Sequence, residues 1–282
     1  MYTQKLNSVV AIAGFLAVVV LCARCTKPDK SDDFPKGDPP PVPGGFTNSS
    51  QVAATNLVGY WDFNGNLKDN VSGTNATGTN ITYATGLKGQ AMQGAVNAYA
   101  IATPSNAIKA MGAYTISWWT KSPLNANGIV GMVNFSDTRN FWGNLNTFFE
   151  NGGTQDLMRF KAIFASNGST FDFGVQEVTG RWNAWNHFAL TYDGVSKFDV
   201  YINGTLATSG TRAGLGPIQF TNFEHIVFGT VHFMTTPSLT SGSTSQSWAN
   251  FLTGQLDEVR IYNKGLTSIE VSALTTLEKQ GR

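Results

Sequence analysis

Hydrolysis of a glycosidic bond needs two carboxylates on one surface, one to protonate the leaving group and one to attack or to activate water. On a single strand they would appear as a run such as Glu-x-Asp-x-x-Glu, because alternate side chains share a face. No such run occurs. Glu150, Glu177, Glu224, Glu258, Glu270 and Glu278 are scattered, and only Glu258 has an aspartate beside it. Asp257 and Glu258 are consecutive, so an extended strand would send them to opposite faces. No catalytic residue is assigned, and an acid pair assembled from distant segments stays open as an alternative. His187, His225 and His232 are the whole histidine complement. The latter two could hold zinc with a distant carboxylate, or be ordinary polar positions. Asp62-Phe63-Asn64-Gly65-Asn66 begins like a calcium-binding EF-hand loop. It fails where Leu67 takes the sixth place, which requires glycine, and Gly73 the twelfth. No G-x-S-x-G elbow is present.

A different chemistry is suggested by the aromatics. Phe141, Trp142, Phe148 and Phe149 fall in an Asn-rich stretch, 138–153, read as irregular, and Trp248 and Phe251 follow a Ser/Thr/Gly-rich loop. Rings on loops beside Asn, Arg139 and Asp137 could stack on the C–H faces of sugars while amides meet the hydroxyls. They could equally be satellite clusters packed under long loops. Phe141, Trp142 and Trp248 are taken as candidate ligand-binding residues. Charged residues make up 13% and the formal net charge is +1, so the surface rests on Asn, Thr, Ser and Gly. No basic stripe appears, which argues against nucleic acid as a partner.

The elements that must carry these residues are short and β-rich, separated by Gly and Asn turns. Strands are expected at 57–63, 99–102, 114–121, 128–135, 158–165, 170–175, 187–192, 197–202, 226–233 and 254–262. Asn203-Gly204 is a strong hairpin signal. Apolar residues at 269, 271, 274 and 277 suggest one short amphipathic helix over 268–278, capping the sandwich. Many short strands argue for an all-β, two-sheet antiparallel jelly-roll sandwich. Hydrophobic residues, at 41%, are enough for a sizeable core.

The N-terminus reads differently. Val9–Leu21 is an unbroken apolar run of about thirteen residues behind Lys5, short for a membrane span and fitting for a signal peptide. Cys22 and Cys25 follow it in C-x-x-C spacing, with no βαβ pattern around them. Residues 26–33 resemble the charged tail behind the lipid-bearing cysteine of Bacteroidetes surface lipoproteins. That resemblance implies lipidation of Cys25, with Cys22 as the other possibility, and display on the outer membrane at the cell surface. The expected organisation is a signal peptide over 1–24, a Pro-rich flexible linker over 25–55 and a folded domain over 56–282.

Four segments, in order, resemble the laminin-G-like, concanavalin A-type family: Leu57-Val58-Gly59-Tyr60-Trp61-Asp62-Phe63; Tyr114-Thr115-Ile116-Ser117-Trp118-Trp119; Trp185-Asn186-His187-Phe188-Ala189-Leu190-Thr191-Tyr192, running on into Val200–Gly204; and Gly254-Gln255-Leu256-Asp257-Glu258-Val259-Arg260-Ile261-Tyr262. The resemblance implies two antiparallel sheets of roughly six strands each, first and last strands adjacent, with Trp61, Trp119 and Trp185 in the core. It also implies a structural Ca²⁺ held by Asp257 and Asp62, and a ligand site shaped by loops at a sheet rim. The function expected is a non-catalytic carbohydrate-binding surface lipoprotein, its partner a glycan or glycoconjugate and its membrane contact through the lipid alone. A protein-protein adhesion or assembly module and a divergent polysaccharide hydrolase or lyase are the alternatives.

Overall fold

Strand β6 (Tyr114–Lys121) shows how two layers arise from the sequence. Tyr114, Ile116 and Trp118 alternate into one apolar cluster, while Thr115, Ser117 and Trp119 turn the other way. Its neighbour β12 (Asn186–Tyr192) repeats the pattern with Phe188, Leu190 and Tyr192. The computed structural model describes residues 40–282 apart from 126–127, 167–168 and 242. Cys22, Cys25, the apolar run and most of the expected linker lie outside the described residues.

The fold is an all-β sandwich of two sheets. The first runs β14 (Thr205–Thr211), β13 (Lys197–Ile202), β12, β6, β17 (Gln255–Tyr262), β4 (Gln90–Gln93), β3 (Thr82–Thr85), with β1 (Leu57–Trp61) also paired to β17. The first and last strands are therefore adjacent, as expected. The second runs β11 (Ser169–Thr179), β10 (Leu157–Ser166), β9 (Leu145–Asn151), β8 (Val133–Phe135), β15 (Ile226–Phe228), β5 (Tyr99–Ala102), β2 (Thr77–Thr79). Beside β9 lies β7 (Ile129–Gly131), which pairs in parallel with the two-residue β16 (Ala249–Asn250). Asn203 and Gly204 both take positive φ, 52° and 77°, in the tight turn joining β13 to β14.

The inner faces meet in one core that includes Trp61, Trp118, Phe135, Phe149, Phe160, Phe164, Phe188 and Val259. Trp118 lies there, whereas Trp119, the one of the pair expected in the core, faces the other way because neighbours on a strand alternate; both are buried. Of the two α-helices among the described residues, α1 is the single turn Asn106–Lys109 and α2 (Ser268–Lys279) covers Trp119, its Glu278 accepting a 2.7 Å bond from the indole Nε1. Trp185 is only half-buried and joins no core cluster, contrary to expectation.

α2 starts at a capping box. Thr267 accepts from the Glu270 N–H while Glu270 accepts from the Thr267 N–H. Its Val271, Ala273, Leu274 and Leu277 pack on Ala189, Tyr201 and Tyr262 of the first sheet's outer face. Val42 and Val52 join the same cluster, with Phe46 against it. Residues 40–55, expected as linker, are therefore docked on the described fold. Three apolar side chains among the prolines and glycines suffice to dock them.

Under α2 lies a charged network. Arg260 donates to Glu278 at 2.6 Å and to Glu258 at 2.9 Å, and the Tyr60 hydroxyl donates to Glu258 at 2.9 Å. Arg260, Glu258 and Glu278 are all buried. Burial, partly offset by Arg260, raises Glu278 to about 7. His187 lies alongside, its Nδ1 2.9 Å from Thr275 Oγ1, and burial lowers it to about 3.

Candidate functional site

The outer face of the second sheet carries the aromatics. On β9, Leu145 and Phe149 enter the core, while Phe148 points outward into a second cluster with Ile129, Ile163, Val231, Phe233 and Met234. β9 lies inside the stretch read as irregular. Its alternation is masked because Phe148 and Phe149 are both buried, one on each face.

Phe141, Trp142 and Trp248 converge on top of this cluster. Trp142 and Phe141 each lie 6.1 Å from Trp248, ring centre to ring centre, and 5.1 Å from each other. Phe141 stacks on Phe233 at 4.4 Å and Trp142 on Phe148 at 6.1 Å. Trp142 and Phe141 are half-buried, and Trp248 is 40% exposed. Phe251 packs against the same cluster and stacks on Tyr99 at 6.2 Å.

Local chemistry fixes these rings. The Asn140 side chain accepts from the Trp142 N–H at 3.0 Å. Gly143 follows at φ 67°, and a Cβ there would sit 2.5 Å from the Phe135 carbonyl oxygen, so only glycine lets the loop pass. Buried Asp137 accepts from the Arg139 N–H, the Thr221 hydroxyl and the Asn222 amide, so it organises the loop and is not presented to a ligand. The Ser241 N–H donates to the Thr138 carbonyl at 2.7 Å, and the Ile129 N–H to that of Trp248 at 2.9 Å. These bonds draw the two loops together. His232 is buried behind them and lowered to about 4 by that burial, while His225 is half-buried. Phe233, which supports the platform, was expected in a strand; that strand ends at Phe228, and His232–Met234 form a 3-10 turn.

Beside the platform, the same face carries a ladder of charges. Lys161 meets Glu150 at 2.7 Å, and Arg159 meets Glu150 at 3.8 Å and Glu177 at 3.2 Å. Glu150 and Glu177 stand at the same register on strands flanking β10, two strand spacings or about 10 Å apart. Cations occupy the space between them, so the arrangement is a cross-strand ion ladder.

Asp257 and Glu258 do not point to opposite faces. Glu258 takes φ 49° in a bulge of β17, so Leu256 and Val259 both enter the core and the two acids between them turn outward. Asp257 is buried. Its Oδ2 accepts from the N–H groups of Leu87 and Lys88 at 2.8 and 3.2 Å, and its Oδ1 from that of Glu258 at 2.8 Å. Burial, with Glu258 close by, raises its carboxyl to about 8. Asp62 is half-buried and accepts from the Asn64 N–H at 3.2 Å. Among the described residues no three His, Cys, Asp or Glu side chains cluster to hold a metal. The amide protons on Asp257 leave it few lone pairs, so a hard cation here would depend on backbone and amide oxygens for most of its six to eight ligands.

The two-sheet sandwich is shared with solved binding domains. The binding domain of Paraclostridial Mosquitocidal Protein 1 is similar with a TM-score of 0.58 and 20% identity, over 78% of this chain and 52% of that one. Domain 4 of AbnA, a GH43 extracellular arabinanase from Geobacillus stearothermophilus, solved with arabinotriose, gives 0.54 and 22%, over 78% and 98%. The binding domain of botulinum neurotoxin serotype D gives 0.55 and 16%, over 78% and 51%. The chain spans about half the length of those toxin domains. No curated protein matches the sequence. The profile of the concanavalin A-like lectin/glucanases superfamily matches residues 94–272, and with the sandwich just described the chain belongs to that superfamily.

Proposed function

We propose that this protein is a non-catalytic carbohydrate-binding module whose ligand stacks on the Phe141–Trp142–Trp248 platform. The observation that carries this reading is Trp248, 40% exposed at the top of a cluster otherwise half-buried or buried. Trp248 continues the half-buried rings of Phe141 and Trp142 into one apolar patch, and contiguous exposed patches of this kind mark ligand sites. One stacked sugar ring supplies about 1–2 kcal/mol by apolar burial. Affinity per site is then weak, about micromolar to millimolar, and many copies on a surface compensate. The sugar-bound arabinanase domain supports the reading as a likeness of fold.

The test is a glycan array with purified protein, followed by titration of the best hit against Trp248→Ala. Binding weakened about tenfold or more supports the platform; unchanged binding overturns it.

The lipoprotein reading belongs to the same proposal. Cys25 carries the lipid and the protein is displayed at the outer membrane, supported by the apolar run and the acidic tail. Labelled lipid incorporated into a Cys25→Ser variant would move the anchor to Cys22 or remove the reading. Structural Ca²⁺ at Asp257, with Asp62, is proposed too, supported by a buried carboxylate that a cation would relieve. The melting temperature then rises with Ca²⁺ and falls with chelator, and Asp257→Ala abolishes the difference.

A further inference from the structure

The two sheets have free edges on one side of the sandwich. β14 ends the first sheet and β11 the second. Between them opens a cleft of about 180 Å³, away from the aromatic platform. Its floor is Phe198 and Val200, both buried core residues; one wall carries Phe171 and Phe173, both half-buried, and the rim is polar, with Thr208, Ser209 and Thr211 of β14 and Asp172 of β11.

The hole has a local cause. Gly210 on β14 stands opposite Phe198 on β13, and a Cβ added at Gly210 meets nothing within 4 Å. The edge strand omits a side chain where the core would accept one. At the mouth, the Arg212 guanidinium lies 5.1 Å over the Phe171 ring and makes no ion pair among the described residues. Asp172, on the facing strand, caps its own bulge by accepting from the Gly174 N–H at 2.7 Å.

We infer that this cleft is a second ligand site, for a compact aromatic carboxylate. A cavity of about 150 Å³ lined by apolar residues holds a benzene-sized ring. Three phenylalanines offer that ring edge and face contacts. Arg212, exposed and placed over Phe171, donates from Nη1 to the Thr211 carbonyl at 3.4 Å and has its other N–H groups to offer a carboxylate at the cleft mouth. The site makes no use of the aromatic platform, so it stands or falls independently of the carbohydrate reading.

The probe is benzoate, titrated by ligand-observed NMR, with benzyl alcohol as the uncharged analogue. Wild-type protein binds benzoate saturably and more tightly than benzyl alcohol. Arg212→Gln weakens benzoate by about tenfold or more, as expected for loss of a charge-assisted bond, and leaves benzyl alcohol within twofold. Gly210→Leu fills the hole at an unchanged or higher melting temperature and abolishes binding of both. Trp248→Ala leaves both affinities as they were. Absence of saturable benzoate binding, binding that survives Gly210→Leu, or equal loss of both probes in Arg212→Gln would each overturn the proposal.

Discussion

The outer faces of the two sheets solve opposite problems. On the first sheet, ionisable groups are buried and each must find a partner in protein: Glu258 and Glu278 clasp Arg260, and α2 closes over them. On the second, charges stay at the surface as the Glu150–Arg159–Lys161–Glu177 ladder, and what lies partly open is apolar. Burial makes a polar group demand satisfaction within the chain. An exposed aromatic group carries no such demand, and is left free to meet a partner from outside. The covered face is read as structure and the open one as function.

The strongest way to break this contrast is Arg260→Ala. It leaves two buried carboxylates facing each other and is expected to cost about 3–5 kcal/mol, measured by urea unfolding. A cost below about 1 kcal/mol would mean that the network is not sealed.

The same face sets a pH response. Glu278 titrates near 7 when folded, above its ordinary 4.5, so the folded state holds a proton that the unfolded state has released. Its contribution is full below pH 4.5 and is lost as pH rises through 7, on the order of 3 kcal/mol. Asp257, raised to about 8, acts with the same sign up to that pH. His187, lowered to about 3, acts oppositely, losing its contribution as pH falls below 6.5. Melting temperature is therefore expected to fall between pH 6.5 and 8, where only the carboxylates slope. Glu278→Gln should flatten the part of that fall below about pH 7 and leave the part from 7 to 8, which belongs to Asp257; a slope below pH 7 unchanged by the substitution would remove Glu278 as its source.

Smaller effects distinguish the two tryptophans of the open face. Trp142 is half-buried on Phe148, so Trp142→Ala should cost about 2–3 kcal/mol by chemical denaturation as well as weaken glycan binding. Trp248→Ala should change stability by less than about 0.5 kcal/mol and act on binding alone. Equal stability costs at the two positions would place Trp248 in the core rather than on the platform.

Much of this was legible in the chain. β5, β6 and β13 run between the expected residues because their alternation is uninterrupted. α2 was visible in its apolar spacing. The convergence of Phe141–Trp142 with Trp248 was anticipated from ring-rich loops, yet Phe148 and Phe233 beneath them were not assigned to the site. β9 hid because both of its faces are apolar at Phe148–Phe149. The Asp257–Glu258 bulge hid because alternation assumes a regular strand, and nothing in two adjacent acids announces a positive φ at the second. The strand that carries Gly210 was not expected, and only its position opposite Phe198 gives that glycine a role.

The two ends of the described fold are stitched to each other. Arg282 donates to the Pro40 and Thr47 carbonyls at 3.2 and 3.0 Å, and its own carbonyl accepts from the Ser49 N–H at 3.3 Å. Both ends lie on the α2 side, with the whole thickness of the sandwich between them and Trp248. Tension arriving through the chain before Pro40 therefore enters behind the aromatic platform. It would load the Val42–Val52 seam and the Arg282 clasp first. Strain taken up by that clasp is taken up on the face away from Phe141, Trp142 and Trp248, whose spacing rests on a different set of contacts.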